Sequence, residues 1–170
     1  DEQDYTTAKV VIFPVPYSST TCWKTGTNEG PRAIIEASRH MELYDIESKR
    51  DPSKEGIFTL ELLEPSKDSP KETIFRIKKV VDKILKDKKF LMMLGGEHSI
   101  TLGAVQSFKE KFSDFSVLQI DAHADLRDVY EGTKYHHGSV MRRVRELGVP
   151  VTQVGLRSIS EEDADYVKKA

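Results

Sequence analysis

Apolar residues recur along the chain in two alternating rhythms. Val10 to Val15 is a short, β-branched run, and Phe90 to Leu94, Phe115 to Ile120 and Val151 to Val154 repeat its brief, nearly continuous hydrophobicity. Between these runs the spacing becomes helical. Ile74, Ile77, Val81, Ile84 and Leu85 fall on one face, as do Leu102, Val105, Phe108 and Phe112, and then Val140, Met141, Val144 and Leu147. Ser69-Pro70-Lys71-Glu72 opens the first of these helices in the form of a capping box, with proline at the first helical position. Pro31 likewise opens a helix predicted to reach about Met41, and Ser160 caps a last one. Leu43 to Ile46 and Ile57 to Leu62 are predicted short strands on either side of the polar segment Glu47 to Glu55.

Strands that are apolar throughout have no face suited to water. Alternating with helices, they predict an α/β fold with a mainly parallel sheet covered on both faces, in three α/β/α layers. A chain of 170 residues suffices for one such domain, 1–170, with a substantial core. It starts at Asp1 without methionine and stops at Ala170 just after the last helix begins, so the expectation is an N-terminal portion whose C-terminal strands are missing.

Charge and composition narrow the function classes. The net charge of -2, from 26 basic and 28 acidic residues, offers no electrostatic case for a nucleic-acid partner. The lysines between Lys71 and Lys89 interleave with helix-spaced apolar residues and read as a solvated face. The longest apolar runs fall far short of the roughly 20 residues a membrane span needs, and nothing resembles a secretory signal, so no membrane association and a cytoplasmic location are expected. The single cysteine, Cys22, excludes an internal disulfide and fits a reducing compartment.

The candidate chemistry lies at strand ends, where open parallel α/β sheets bind their ligands. Asp121, His123 and Asp125 follow the Phe115 to Ile120 strand at alternate positions, with the small Ala122 and Ala124 between them. In an extended segment they would project together. Gly95-Gly96-Glu97-His98-Ser99 follows the Phe90 to Leu94 strand and places His98 at the rim. If the two strands are neighbours, as consecutive strands usually are, His98, Asp121, His123 and Asp125 meet at one edge of the sheet. Imidazoles plus carboxylates suit a borderline to hard divalent ion. Tyr135-His136-His137-Gly138 lies in the following loop, and one of its histidines is expected to move protons beside that ion near neutral pH. His40, on a helix, is assigned no catalytic part.

Together these segments closely resemble the ureohydrolase family of agmatinases, arginases and related guanidino-compound hydrolases, and agmatinases above all. The resemblance rests on Pro14-Val15-Pro16-Tyr17, Gly26-Thr27 and Gly30-Pro31-Arg32-Ala33-Ile34. It continues in order through Gly95 to Ser99, Asp121 to Asp125, His137-Gly138 and Gly155-Leu156-Arg157-Ser158, and so covers nearly the whole chain. It implies an arginase-like parallel-sheet fold, a binuclear Mn2+ site and a homo-oligomer, trimeric or hexameric. The implied metal ligands are His98, Asp121, His123 and Asp125, with Asp121 bridging. The implied catalytic residues are Asp125, which orients a metal-bridging hydroxide, and His137, a proton shuttle. The implied reaction is hydrolysis of a small guanidino substrate, agmatine to putrescine and urea, a step of polyamine biosynthesis. Substrate-binding residues are not assigned by the resemblance.

The chain also departs from the family. The second metal motif, Asp-x-Asp-x-x-Asp-Pro, and the later guanidinium-binding glutamate are absent, so these ligands alone should hold one metal at most. Glu97 stands where many relatives have Asp and reads as a carboxylate outside the ligand set. The loop Leu126 to Tyr130 lacks the Asn and Ser pattern with which arginases hold an amino acid, and Arg127 could recognise a substrate carboxylate. The alternatives are therefore an inactive or truncated metal-binding fragment, or a relative acting on another guanidino acid or on arginine.

Overall fold

The apolar run Val10–Val15 becomes β1, the central strand of a three-stranded parallel sheet ordered β2-β1-β3. The computed structural model of the protein describes residues 4–169. β2 is Ile57–Thr59 and β3 is Phe90–Gly95, with Val10 paired to Ile57 and Phe90, and Val15 to Gly95. β4 (Val117–Ile120) and β5 (Val151–Val154) form a second parallel pair. The helices are α1 (Gly30–Ser38), α2 (Pro70–Lys86), α3 (Thr101–Lys111), α4 (Val140–Glu146) and α5 (Glu161–Lys169). Strand and helix alternate as the hydrophobic pattern predicts, and the class is α/β. Among the described residues, no helix is long and apolar enough to cross a membrane.

Two cores lie side by side. Val11, Phe13, Val15 and Tyr17 pack against Ile77, Val81, Ile84 and Leu85 of α2. Ile74 looks the other way, into a second cluster with Leu102, Val105, Val140, Met141 and Val144. Each such side chain contributes roughly 1.5–3 kcal/mol when fully buried. α2 and α3 join the two cores, and they touch closely at Gly103, where a Cβ would stand 2.7 Å from the Ile74 carbonyl oxygen. The α2 cap forms in part as predicted: Ser69 Oγ accepts the Glu72 N–H at 3.2 Å, while the Glu72 carboxylate turns to Arg76 instead of closing the box.

Four expectations need correction. Consecutive strands β3 and β4 are not hydrogen-bonded neighbours: β3 pairs with β1 along its whole length, and β4 pairs with β5. α1 stops at Ser38, not near Met41. Leu43 to Ile46 forms no strand; Asp45 instead closes a turn onto Arg50 and accepts the Glu47 and Ser48 N–H groups, and Leu43, Tyr44 and Ile46 stay exposed. The strand predicted over Ile57 to Leu62 ends at Thr59. Cover of the sheets is also uneven: Phe90 and Met92, on the face away from α2, and Leu118, Ile120 and Val154 are exposed.

Candidate metal centre

β3 delivers the first ligand through a tight exit. Gly96 follows the strand, and a Cβ there would lie 1.8 Å from the Tyr17 carbonyl oxygen, so only glycine lets the two backbones meet. The same carbonyl accepts the Glu97 N–H at 2.8 Å. The Glu97 side chain then turns inward and is buried. It accepts from Ser99 N at 2.7 Å, Ser99 Oγ at 2.8 Å and Thr20 Oγ1 at 2.8 Å, which fixes a short 3-10 turn at His98–Ile100. His98 is thereby left facing the end of β4.

β4 delivers two carboxylates. Asp121 Oδ1 accepts the His123 N–H at 2.9 Å, curling the chain directly after the strand. Asp125 has a left-handed backbone, φ 53°, a conformation Asp tolerates better than most residues. Its carbonyl accepts the Met141 and Arg142 N–H groups at the start of α4, and its Oδ2 accepts from Gln119 Nε2 at 2.9 Å. Its side chain is thus held from two sides.

These pieces converge. His98 Nδ1 lies 3.5 Å from Asp121 Oδ2, and His98 Nε2 lies 3.2 Å from Asp125 Oδ2. One donor atom from each of His98, Asp121 and Asp125 falls within 4.8 Å of the others. His123 stands at the margin of this group: its side chain is 63% exposed, and its Nδ1 is 3.6 Å from Asp121 Oδ1. The named strand ends at Ile120, yet His123 still bridges Ser158 in parallel, and the chain turns fully only at Asp125, with its left-handed backbone.

The electrostatics follow from this crowding. Burial works against a charged His98, but the Asp125 hydrogen bond and the charges of Asp125, Asp121 and Glu97 outweigh it and hold the imidazole pKa above its usual value. For Asp121, burial pushes the carboxyl up, yet the His123 N–H and the His98 charge prevail and hold it low. Cationic charge is therefore favoured at this point. One imidazole nitrogen and carboxylate oxygens make a donor set that fits a borderline to hard divalent ion.

The two adjacent histidines separate cleanly. His136 is buried, with Nδ1 accepting the Gly138 N–H at 3.1 Å, Nε2 3.3 Å from Glu131 and its ring edge-on to Tyr130. His137 faces a cavity of about 320 Å³ that Asp125, His123, Arg127 and Cys22 also line. Cys22 Sγ lies 3.7 Å from His137 Nε2. His40 is exposed and far from this chemistry in the sequence.

Sequence reasoning missed Thr20, Gln119 and Gln153. Gln153 Nε2 donates to the Ala124 carbonyl at 2.7 Å and to Gln119 Oε1, so each glutamine amide has one orientation. A signal did exist for this pair, since each interrupts an apolar strand at an inward-facing position. Thr20, in a polar turn, carries no such mark.

The sequence matches the arginase family over residues 8–170. It is 39% identical over 171 residues to N(1)-aminopropylagmatine ureohydrolase of Synechocystis sp., an alignment covering 97% of this chain and 56% of that protein. The protein of the same name from Thermus thermophilus is 35% identical over 165 residues, with 97% and 56% covered. Among solved structures, the agmatine ureohydrolase of Thermoplasma volcanium superposes with a TM-score of 0.88 at 34% identity, covering 95% of this chain and 54% of that one. The chain thus spans about half the length of the curated relatives it matches.

Proposed function

The chain belongs to the arginase family, and from that premise we propose that the full-length protein is a metal-dependent amidinohydrolase that cleaves agmatine to putrescine and urea. The observation carrying this reading is the convergence of His98, Asp121 and Asp125 at two strand ends, with His137 on the cavity beside them.

His98, Asp121 and Asp125 would hold the ion, with the neighbouring His123 as a further ligand; manganese is the ion proposed. When bound, a divalent pair acidifies water so that hydroxide is available near neutral pH. The chain's own groups do the rest. Asp125, its Oδ2 held by Gln119, keeps a carboxylate oriented at the reacting centre and carries a proton toward the leaving amine. His137 exchanges protons between that amine and solvent at Nε2, on the cavity side. Asp121 and Asp125 together carry two negative charges, which balance one divalent ion. A second ion requires carboxylates from the remaining length that the relatives possess.

A second substrate has specific support. Two relatives are named for N(1)-aminopropylagmatine, in which the guanidinium carries a longer cationic tail. The test measures urea release by the full-length protein with manganese from agmatine, N(1)-aminopropylagmatine, arginine, guanidinobutyrate and guanidinopropionate. The highest kcat/KM for agmatine or its aminopropyl derivative is expected. No urea from any of the five overturns the reading.

A further inference from the structure

Thr20 sits at the centre of a hydrogen-bond chain that the proposed chemistry has not used. Its Oγ1 donates to Glu97 Oε1 at 2.8 Å, accepts the His137 backbone N–H at 3.1 Å and lies 3.3 Å from His137 Nδ1. Thr20 and Glu97 are both buried. A hydroxyl has one proton and two lone pairs, and each is accounted for. The proton goes to Glu97, whose carboxylate also receives Ser99 N and Ser99 Oγ and so acts as the acceptor of three donors. One lone pair takes the His137 N–H. The remaining lone pair faces His137 Nδ1.

We infer that Thr20 and Glu97 are positioning residues that hold His137 as its Nδ1–H tautomer, with the bare Nε2 turned to the cavity. The inference rests on the amidinohydrolase reading for its role in turnover, but its hydrogen-bond logic stands on the geometry alone. If Nδ1 instead carried a lone pair, two acceptors would face each other at 3.3 Å, because the only hydroxyl proton is committed to Glu97. Orientation of an imidazole by its second nitrogen is a general device for setting which nitrogen exchanges protons. Here a neutral hydroxyl does the orienting, and the carboxylate that polarises it stands one step further back. The arrangement also ties the two halves of the site together. Glu97 precedes His98 in the chain, so the residue that fixes the 3-10 turn presenting His98 also fixes the proton-carrying imidazole.

The test has a spectroscopic arm and a kinetic arm, both on the full-length protein. With the imidazoles labelled in nitrogen-15 and the metal removed by chelation, long-range proton–nitrogen correlation at alkaline pH reads which ring nitrogen of His137 bears hydrogen. Protonated Nδ1 and bare Nε2 are expected, and the reverse pattern overturns the assignment. In the kinetic arm, Thr20→Val should lower kcat by roughly tenfold, less than the roughly 10²- to 10⁴-fold that a general acid–base group itself contributes, with KM little changed. Thr20→Ser, which keeps the hydroxyl, should recover most of the rate. Equal kcat for the Val and Ser variants overturns the positioning role. An inactive wild-type protein overturns the function reading instead, and the spectroscopic arm, which needs no turnover, still decides the tautomer.

Discussion

Gln119 Nε2 donates to Asp125 Oδ2 across 2.9 Å in the buried interior between β4 and the start of α4. Gln153, on β5, fixes which way that amide points. Partners of this kind orient a ligand and restrain its motion, and their loss typically costs about 10- to 100-fold in metal affinity. Gln119→Leu, close in volume and without an amide, should therefore weaken manganese binding by about that factor. Isothermal titration of the full-length protein measures it. Unchanged affinity would mean that Asp125 is held well enough by its backbone alone.

Much of this architecture was legible in the sequence because it follows from periodicity. The continuous apolar strands, to within two residues at their ends, the Ser69 cap and the helical faces of α2 and α4 appear where the pattern puts them. The site was legible by residue type and place in the chain: His98, Asp121 and Asp125 meet. The pairing of strands was not, since nothing in the apolar runs says that β3 belongs to β1 and β4 to β5. The aim of His123 was not legible either. Alternate spacing holds only while the chain stays extended, and here it is interrupted by the His123 N–H bond to the Asp121 side chain and ended by the left-handed backbone of Asp125. Separating His136 from His137 required the packing of Tyr130 and Glu131, which lies beyond any spacing rule.

Gly96 makes a prediction about stability that also reads the site. With a Cβ placed 1.8 Å from a backbone oxygen, Gly96→Ala must push β3's exit away from Tyr17. That movement breaks the Glu97 N–H bond to Tyr17 and displaces the turn carrying His98. A cost on the order of 3 kcal/mol is expected, at the upper end for overpacking, because backbone and not a flexible side chain stands in the way. Denaturant unfolding gives the cost, and a metal titration should show weakened binding. A variant with the wild-type midpoint would show that the close approach relaxes freely.

Cys22 offers a chemical probe of the cavity. Its thiol is exposed, borders the same cavity as Asp125 and lies beside His137 Nε2. A carboxamidomethyl group attached there would occupy the space where His137 exchanges protons. Iodoacetamide should remove most of the full-length protein's turnover, more slowly when substrate is present. Cys22→Ser should remain active and resist the reagent, which separates this thiol from any other. Equal inactivation of both proteins would place the sensitive group elsewhere.

His136 sets a pH dependence of stability with a definite sign. Burial is the main influence lowering its pKa from the ordinary 6.5, the neighbouring charge of His137 adds to it, and Glu131 opposes both. The unfolded chain therefore binds a proton that the folded ring refuses. Above about pH 6.5 both states are neutral at this position and the full contribution is present; as pH falls toward the depressed folded pKa, that contribution is lost. Other groups titrate in the same window, His98 in the opposite sense, so the useful quantity is a difference between proteins. Denaturant midpoints at pH 7.5 and pH 5.5 should fall further for the metal-free wild type than for His136→Gln, which has no imidazole to charge. The Gln variant also keeps an amide that can reach Glu131, so it should fold. An equal fall in both proteins would show that His136 accepts its proton in the folded state as readily as in the unfolded one, and that the Tyr130 and Glu131 surroundings stabilise the cation as well as water does.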